Sequence, residues 1–154
     1  MERQSIRNHC AHCVFHPLGL PLRNIYFNFF DMTDKKKKTL VLGASANPSR
    51  YSHLALQRLR SHQHPVVAIG KNKGMVGDIV IETEKKQWKD VDTVTLYLNP
   101  ANQKEYYDYI LSLKPRRIIF NPGAENEELA KLASDKQILP VEACTLVMLT
   151  TNQY

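Results

Sequence analysis

The sequence has few cysteines and glycines and no long apolar run, and each shortage excludes a class of protein. Its 154 residues include only three cysteines, Cys10, Cys13 and Cys144. An odd and scattered set does not form the disulfide framework of a small secreted domain, so we expect a reducing, cytoplasmic setting. No apolar run approaches the roughly 18 residues that a membrane-spanning helix requires. The six glycines form neither a Gly-x-Gly-x-x-Gly fingerprint nor a P-loop.

Positive charge is in excess, with 21 lysines and arginines against 15 acidic residues and a net charge of +6. Such a balance suits an anionic ligand but does not identify one. Part of the excess lies in the run Lys35–Lys38, which is typical of a solvated surface. Binding of RNA through a basic surface is therefore the weakest hypothesis for the function, because the sequence contains no RNA- or DNA-binding motif.

Residues 1–34 show neither helical periodicity nor strand alternation. Within them His9, Cys10, Cys13 and His16 have a spacing that could supply four zinc ligands, and His12 lies between them. A second, distant ligand pair and an apolar core are both lacking, so we predict no metal site. We expect residues 1–34 to be an extension that is disordered or that precedes a start at Met32, and residues 35–154 to form the domain.

From Thr39 onward, short apolar runs alternate with amphipathic stretches of helical period. This alternation indicates βαβ units and a parallel sheet. The sequence therefore predicts an α/β fold of the Rossmann-like, doubly wound kind, with a mostly parallel sheet and helices on both faces. Strands are predicted at 39–43, 65–70, 77–83, 91–98, 116–120 and 138–143, and helices at 50–62, 101–114, 126–136 and 144–152.

The first strand ends in "LVLGASANPSR", a candidate ligand-binding turn. In doubly wound sheets, ligands bind beyond the carboxyl ends of the strands. Gly43 and Ala44 would let the backbone approach a ligand closely. Asn47 is predicted to cap the next helix, with Pro48 in its first turn. The free N–H groups of that helix would then face an anion such as phosphate.

Polar side chains in the same turn strengthen this prediction. Arg50 adds a positive charge, and Ser45 and Ser49 add hydroxyl donors. The alternative is an ordinary βα turn whose small residues serve only packing, and the turn alone does not decide between the two.

Two lysines follow the second strand in "AIGKNKG". A site for an unphosphorylated ribose usually has an acidic residue in this region. Lys71 and Lys73 stand there instead, which suits a phosphorylated ribose such as that of NADP or coenzyme A. The alternative is a pair of solvated surface lysines.

Two further strands end on an Asn-Pro pair, Asn99-Pro100 and Asn121-Pro122. A proline ends the strand's hydrogen-bonding ladder and can start the next helix, which leaves an amide side chain near the crevice. Gly123 is then predicted to lie in a tight turn. Small or amide residues at three strand ends exceed what packing requires.

Three segments together, "LVLGASANPSRYSHLALQRL", "NPGAENEEL" and "VEACTLVML", resemble the small stand-alone coenzyme A-binding proteins. That family is similar to the CoA-binding domain of the succinyl-CoA synthetase alpha subunit. The resemblance covers Lys38 to about Tyr154 and implies a Rossmann-like fold that holds CoA by its nucleotide end.

The resemblance also implies roles for particular positions. The diphosphate loop would be 43–52, with Gly43, Ala44, Ser45, Asn47, Pro48, Arg50, Tyr51 and Ser52 as its contacting residues. Lys71, and less securely Lys73, would meet the adenosine phosphate. Leu98, Asn99 and Pro100 would border the adenine or pantetheine path, and Asn121, Pro122 and Gly123 would lie near the thiol.

No catalytic set is recognisable. His53, His62 and His64 lie on or just after the first predicted helix, where surface or cap positions are expected. Cys144 opens an apolar segment and is predicted to pack as a small hydrophobe. We therefore expect non-catalytic binding of CoA or acyl-CoA, with a small NADP-dependent oxidoreductase as the alternative. The sequence leaves a homo-oligomer open.

Overall fold

The computed structural model describes residues 35–154. The predictions for residues 1–34, namely the extension and the absence of zinc at the His9–His16 cluster, lie outside the described residues. Within 35–154, no helix is both long and apolar enough to cross a membrane.

A seven-stranded sheet forms the centre of the domain. Its order is β3-β4-β2-β1-β5-β6-β7, and every neighbouring pair is parallel except β3 and β4. The strands are β1 (Thr39–Ala44), β2 (Val66–Gly70), β3 (Gly74–Val76), β4 (Ile79–Glu82), β5 (Thr93–Leu96), β6 (Arg117–Phe120) and β7 (Leu139–Glu142).

Five α-helices connect and follow these strands. They are α1 (Tyr51–Ser61), α2 (Pro100–Gln103), α3 (Tyr107–Ser112), α4 (Glu127–Asp135) and α5 (Thr145–Thr150). A 3-10 turn, Lys104–Tyr106, joins α2 to α3. The Rossmann-like α/β fold predicted from the alternation is confirmed.

The alternation of side chains along β1 divides the core between the two faces of the sheet. Leu40 and Leu42 are fully buried in one cluster, together with residues of α3 and α4 such as Ile110 and Leu129. Val41 points to the opposite face and joins a second cluster that contains residues of α1 and α5. Burial on both faces explains why β1 reads as an unbroken apolar run.

Two features differ from the sequence prediction. The three-residue strand β3 was not predicted, because so short a segment shows no periodicity; it pairs antiparallel with β4 at the edge of the sheet. The single helix predicted over 101–114 is instead three short pieces, α2, the 3-10 turn and α3. Gln103, whose side chain is buried, is the last residue of α2.

Candidate functional site

A cleft of about 570 Å³ opens beyond the carboxyl ends of β2, β1, β5 and β6. The chain runs from β1 to β2 on one side and later returns to β5 on the other, so β1 and β5 flank the topological switch point of the sheet. The lining contains most of the residues singled out from the sequence: Gly43, Ala44, Ser45, Asn47, Arg50, Tyr51, Ser52, Lys71, Lys73, Leu98, Asn99, Pro122 and Gly123.

The turn between β1 and α1 is held by its own side chains. Asn47 Oδ1 accepts hydrogen bonds from the N–H of Ser49 at 3.0 Å and from Ser49 Oγ at 2.5 Å. The N–H of Asn47 in turn donates to Ser45 Oγ at 3.1 Å. Asn47 therefore stabilises the turn and does not cap α1 as predicted. Pro48 lies inside this turn, before the helix, and is not part of the cleft lining.

The N-terminus of α1 faces the cleft without a capping side chain. The N-cap residue is Arg50, with φ −94° and ψ 138°, and its side chain makes no capping hydrogen bond. The first turn contains no acidic residue. The positive end of the helix dipole and the exposed Arg50 guanidinium thus act at the same wall of the cleft, where an anion is favoured.

Gly43 brings β1 close to the neighbouring strand end rather than to a ligand. Its φ is +85°, and a β-carbon there would lie 2.8 Å from the carbonyl carbon and oxygen of Tyr97. The requirement for glycine therefore comes from backbone packing at the cleft floor. The sequence analysis assigned this glycine to the close approach of a ligand, whereas the contact with Tyr97 requires a glycine even without one.

Lys71 and Lys73 form the wall of the cleft that follows β2. Both are exposed, and they line the cleft together with Asn72. The strand ends approach closely here, because a β-carbon on Gly70 would lie 2.2 Å from the carbonyl oxygen of Ala44. The lysine loop and the α1 N-terminus both line the cleft beyond these strand ends.

The end of β5 supplies Leu98 and Asn99. Asn99 caps α2, since its Oδ1 accepts a hydrogen bond from the N–H of Asn102 at 2.9 Å, and Pro100 occupies the first helical position. Pro100 is not part of the lining. The prediction that this proline starts a helix is confirmed.

The end of β6 forms a tight turn. The N–H of Ala124 donates to the carbonyl of Asn121 at 2.8 Å, with Pro122 and Gly123 between them. Gly123 has φ +88°, as the third residue of a type II turn requires. The following helix begins only at Glu127, so Pro122 starts a turn and not a helix.

Asn121 is a structural residue. Only 3% of it is exposed, and its Nδ2 donates to Thr95 Oγ1 at 2.7 Å and to the carbonyl of Leu96 at 2.9 Å. Its Oδ1 accepts from the N–H of Thr145 at 2.8 Å. The amide thus joins β5, β6 and α5 beneath the cleft and is absent from the lining, which corrects its predicted role as a ligand contact.

Gln103 connects two walls of the cleft, a role that was not predicted from the sequence. It is fully buried, and its Nε2 donates to the carbonyls of Leu98 at 2.8 Å and Ala124 at 2.7 Å. Asn126 Nδ2 donates to Gln103 Oε1 at 2.8 Å. Its burial could have been predicted from its position: Gln103 lies three residues before Tyr106, on the apolar face of the helix predicted over 101–114.

Four more lining residues were missed: Ala46, Asn72, Tyr97 and Ala124. Burial raises the pKa of the Tyr97 phenol above its usual value, because the ionised form is poorly solvated there. Tyr97 lies within the predicted strand end "LYLNP", but only the last three residues of this segment, Leu98 to Pro100, were predicted to border the ligand.

The lining offers few groups for catalysis. In the part of the chain that the structure describes, it contains three basic side chains and no histidine, cysteine, aspartate or glutamate. Within residues 35–154, no cluster of three or more such side chains could hold a metal ion. Cys144 is partly buried, precedes α5 and lies outside the lining. The cleft is therefore equipped to bind an anion.

Comparison with known proteins gives one family and several similar structures. The sequence model of the family described as "CoA binding domain" matches residues 37–150. A crystal structure of an uncharacterized protein shares 52% sequence identity, with a TM-score of 0.76, over 77% of this chain and 98% of that one. No curated protein matches the chain.

More distant structures share the fold. A hypothetical protein from Pyrococcus horikoshii OT3 is 20% identical with a TM-score of 0.69, and the alignment covers 76% of this chain and 84% of that one. A Thermus thermophilus protein is also 20% identical, with a TM-score of 0.68 over 77% of this chain and 91% of that one.

Proposed function

The chain belongs to the CoA-binding domain family, and we propose that its cleft binds coenzyme A, or an acyl derivative of it, without catalysing a reaction. The observation that carries the proposal is the uniform charge of the cleft. Among residues 35–154, Arg50, Lys71 and Lys73 are the only charged residues of its lining. They line the same cleft as the uncapped N-terminus of α1, where phosphate groups are favoured.

The proposed pose follows from this distribution of charge. The diphosphate lies at the β1–α1 turn, against Arg50 and the first N–H groups of α1. The phosphorylated ribose lies at Lys71 and Lys73. The pantetheine arm then crosses the end of β5 at Leu98 and Asn99 and reaches the turn at Gly123.

Among residues 35–154, the lining has serine, tyrosine and lysine side chains but no histidine, cysteine or carboxylate beside them. A serine or lysine nucleophile is normally activated by such a neighbouring base, so this composition supports a binding role. Neither His53 nor Cys144 is part of the lining.

An NADP-dependent oxidoreductase remains the second candidate, because the lysines after β2 would equally suit the 2′-phosphate of NADP. The two functions predict different rankings of ligands. We propose calorimetric titrations of the protein with CoA, dephospho-CoA, NADP and NAD under one set of conditions. CoA should bind tightest and NAD weakest. Tightest binding of NADP would favour the oxidoreductase, and no binding of CoA would overturn the proposal.

A further inference from the structure

We infer that the end of the cleft at the turn after β6 selects a ligand whose far end is uncharged and rejects one that ends in a carboxylate. The inference rests on the proposed function, and it identifies Glu125 as the residue that determines this specificity.

The charges around the cleft are unevenly placed. All three basic lining residues lie at the ends of β1 and β2 or at the start of α1. The turn that contains Gly123 lies at the end of β6. In the sheet, β6 is three strands away from β2, which is roughly 14 Å at the usual spacing between neighbouring strands. A ligand whose phosphates lie at the basic end therefore directs its other end toward this turn.

Glu125 lies immediately beside that turn. Its Oε2 accepts a hydrogen bond from the N–H of the lining residue Gly123 at 2.7 Å. Within residues 35–154, no lysine or arginine forms an ion pair with Glu125. The carboxylate, which has no basic ion-pair partner among the described residues, thus adds a negative charge beside the β6 end of a cleft whose charged lining residues are all basic.

Open space at Gly123 gives a ligand access to this charge. A β-carbon built on Gly123 would have no atom within 4 Å. A thiol or an uncharged acyl chain meets no electrostatic penalty there, and a thiol could donate a hydrogen bond to the carboxylate. An acyl chain ending in a second carboxylate would be repelled by Glu125.

Two ligands of equal chain length isolate this effect. Butyryl-CoA and succinyl-CoA both carry four-carbon acyl groups, but only the succinyl group ends in a carboxylate. Because the interaction takes place near solvent, we expect succinyl-CoA to bind about fivefold more weakly than butyryl-CoA, and the difference to shrink as salt rises.

The variant Glu125→Gln tests the source of the difference. Its amide oxygen can still accept the Gly123 hydrogen bond, so the turn is retained while the charge is lost. Calorimetric titration should give nearly equal affinities for the two ligands in this variant. Asp135→Asn, which removes one charge at the far end of α4, should preserve the fivefold preference.

The outcomes separate the inference from the proposed function. Equal affinities in the unsubstituted protein, or a preference that persists in Glu125→Gln, would overturn the role of Glu125 while CoA binding stands. A protein that binds neither CoA nor butyryl-CoA would overturn both.

Discussion

Gly43 packs so closely on Tyr97 that a β-carbon on the glycine would lie 2.8 Å from the carbonyl carbon and oxygen of the tyrosine. This contact joins the ends of β1 and β5 at the switch point of the sheet. At the floor of the cleft the two backbones are thus in close contact, with the side chain of Leu98 beside them.

We predict that Gly43→Ala destabilises the fold. The added methyl group meets backbone atoms that cannot move independently, and the positive φ is unfavourable for alanine. The two effects together should lower the free energy of unfolding by roughly 2–4 kcal/mol. Urea denaturation followed by circular dichroism measures the change.

Gly123→Ala is the matched control for Gly43→Ala. Gly123 also has a positive φ, +88°, but the position of its β-carbon is open. Only the backbone penalty applies, so the loss should be about 1 kcal/mol. Equal losses at the two glycines would contradict the packing argument.

Asn121→Ala should cost roughly 2–4 kcal/mol of stability. The substitution removes three hydrogen bonds and leaves buried groups of Leu96 and Thr145 without their partner. Asn99→Ala removes an exposed helix cap and should cost only about 1 kcal/mol. A loss at Asn121 no larger than that at Asn99 would show that its buried network contributes little.

The contrast between Asn99 and Asn121 shows how far the sequence could predict the site. Both residues follow a strand and precede a proline, so the sequence predicts the same role for both, an amide side chain near the cleft. Asn99 caps the helix beside it, a local interaction that the pattern predicts. Asn121 bonds to Thr95 and Thr145, and its role depends on distant segments that only the folded chain brings together.

The same distinction applies to the fold. Strand and helix order followed from periodicity, because β1, β5 and β6 are buried on both faces and α1 has a clear apolar face. The hydrogen-bonding role of the buried Gln103 could not be predicted, since its hydrogen bonds reach Leu98 and Ala124 outside its own helix. Gly43 was correctly placed at the cleft, but its neighbour Tyr97 is 54 residues away in sequence.

Lys71 and Lys73 should set the preference for a 3′-phosphate. In the unsubstituted protein, CoA should bind roughly tenfold tighter than dephospho-CoA, because one charge-assisted hydrogen bond to the phosphate contributes about that much to the affinity. The double variant Lys71→Ala, Lys73→Ala should lose that preference and bind dephospho-CoA almost normally. Lys131→Ala, on the exposed surface of α4, should keep it. A tenfold preference that survives the double variant would assign the phosphate to other residues.

Alkaline pH should destabilise the protein through buried phenols. Burial and the neighbouring Tyr106 raise the pKa of Tyr109 from 10.0 to about 12. Between these values the unfolded chain loses a proton that the folded protein retains, so stability falls as pH rises. The contribution of one such group is at most about 1.4 kcal/mol per pH unit.

Tyr109→Phe tests this assignment. The variant also loses the hydrogen bond from the hydroxyl to the carbonyl of Lys86, at 2.6 Å, so it should be less stable at neutral pH. Its stability should nevertheless decline less steeply between pH 10 and 12 than that of the unsubstituted protein. Parallel slopes in urea titrations across this range would exclude Tyr109 as a contributor.

The central claim is that coenzyme A binds in the cleft with its phosphates at the start of α1, and amide NMR during a titration with CoA tests it most directly. The largest chemical-shift changes should fall in 43–52 and 71–73, with smaller ones at Leu98, Asn99 and Gly123. The basic groove at the amino ends of β6 and β7, formed by residues that include Lys114, Arg116 and Lys136, should not respond. Changes confined to that groove, or no changes at saturating CoA, would contradict the account.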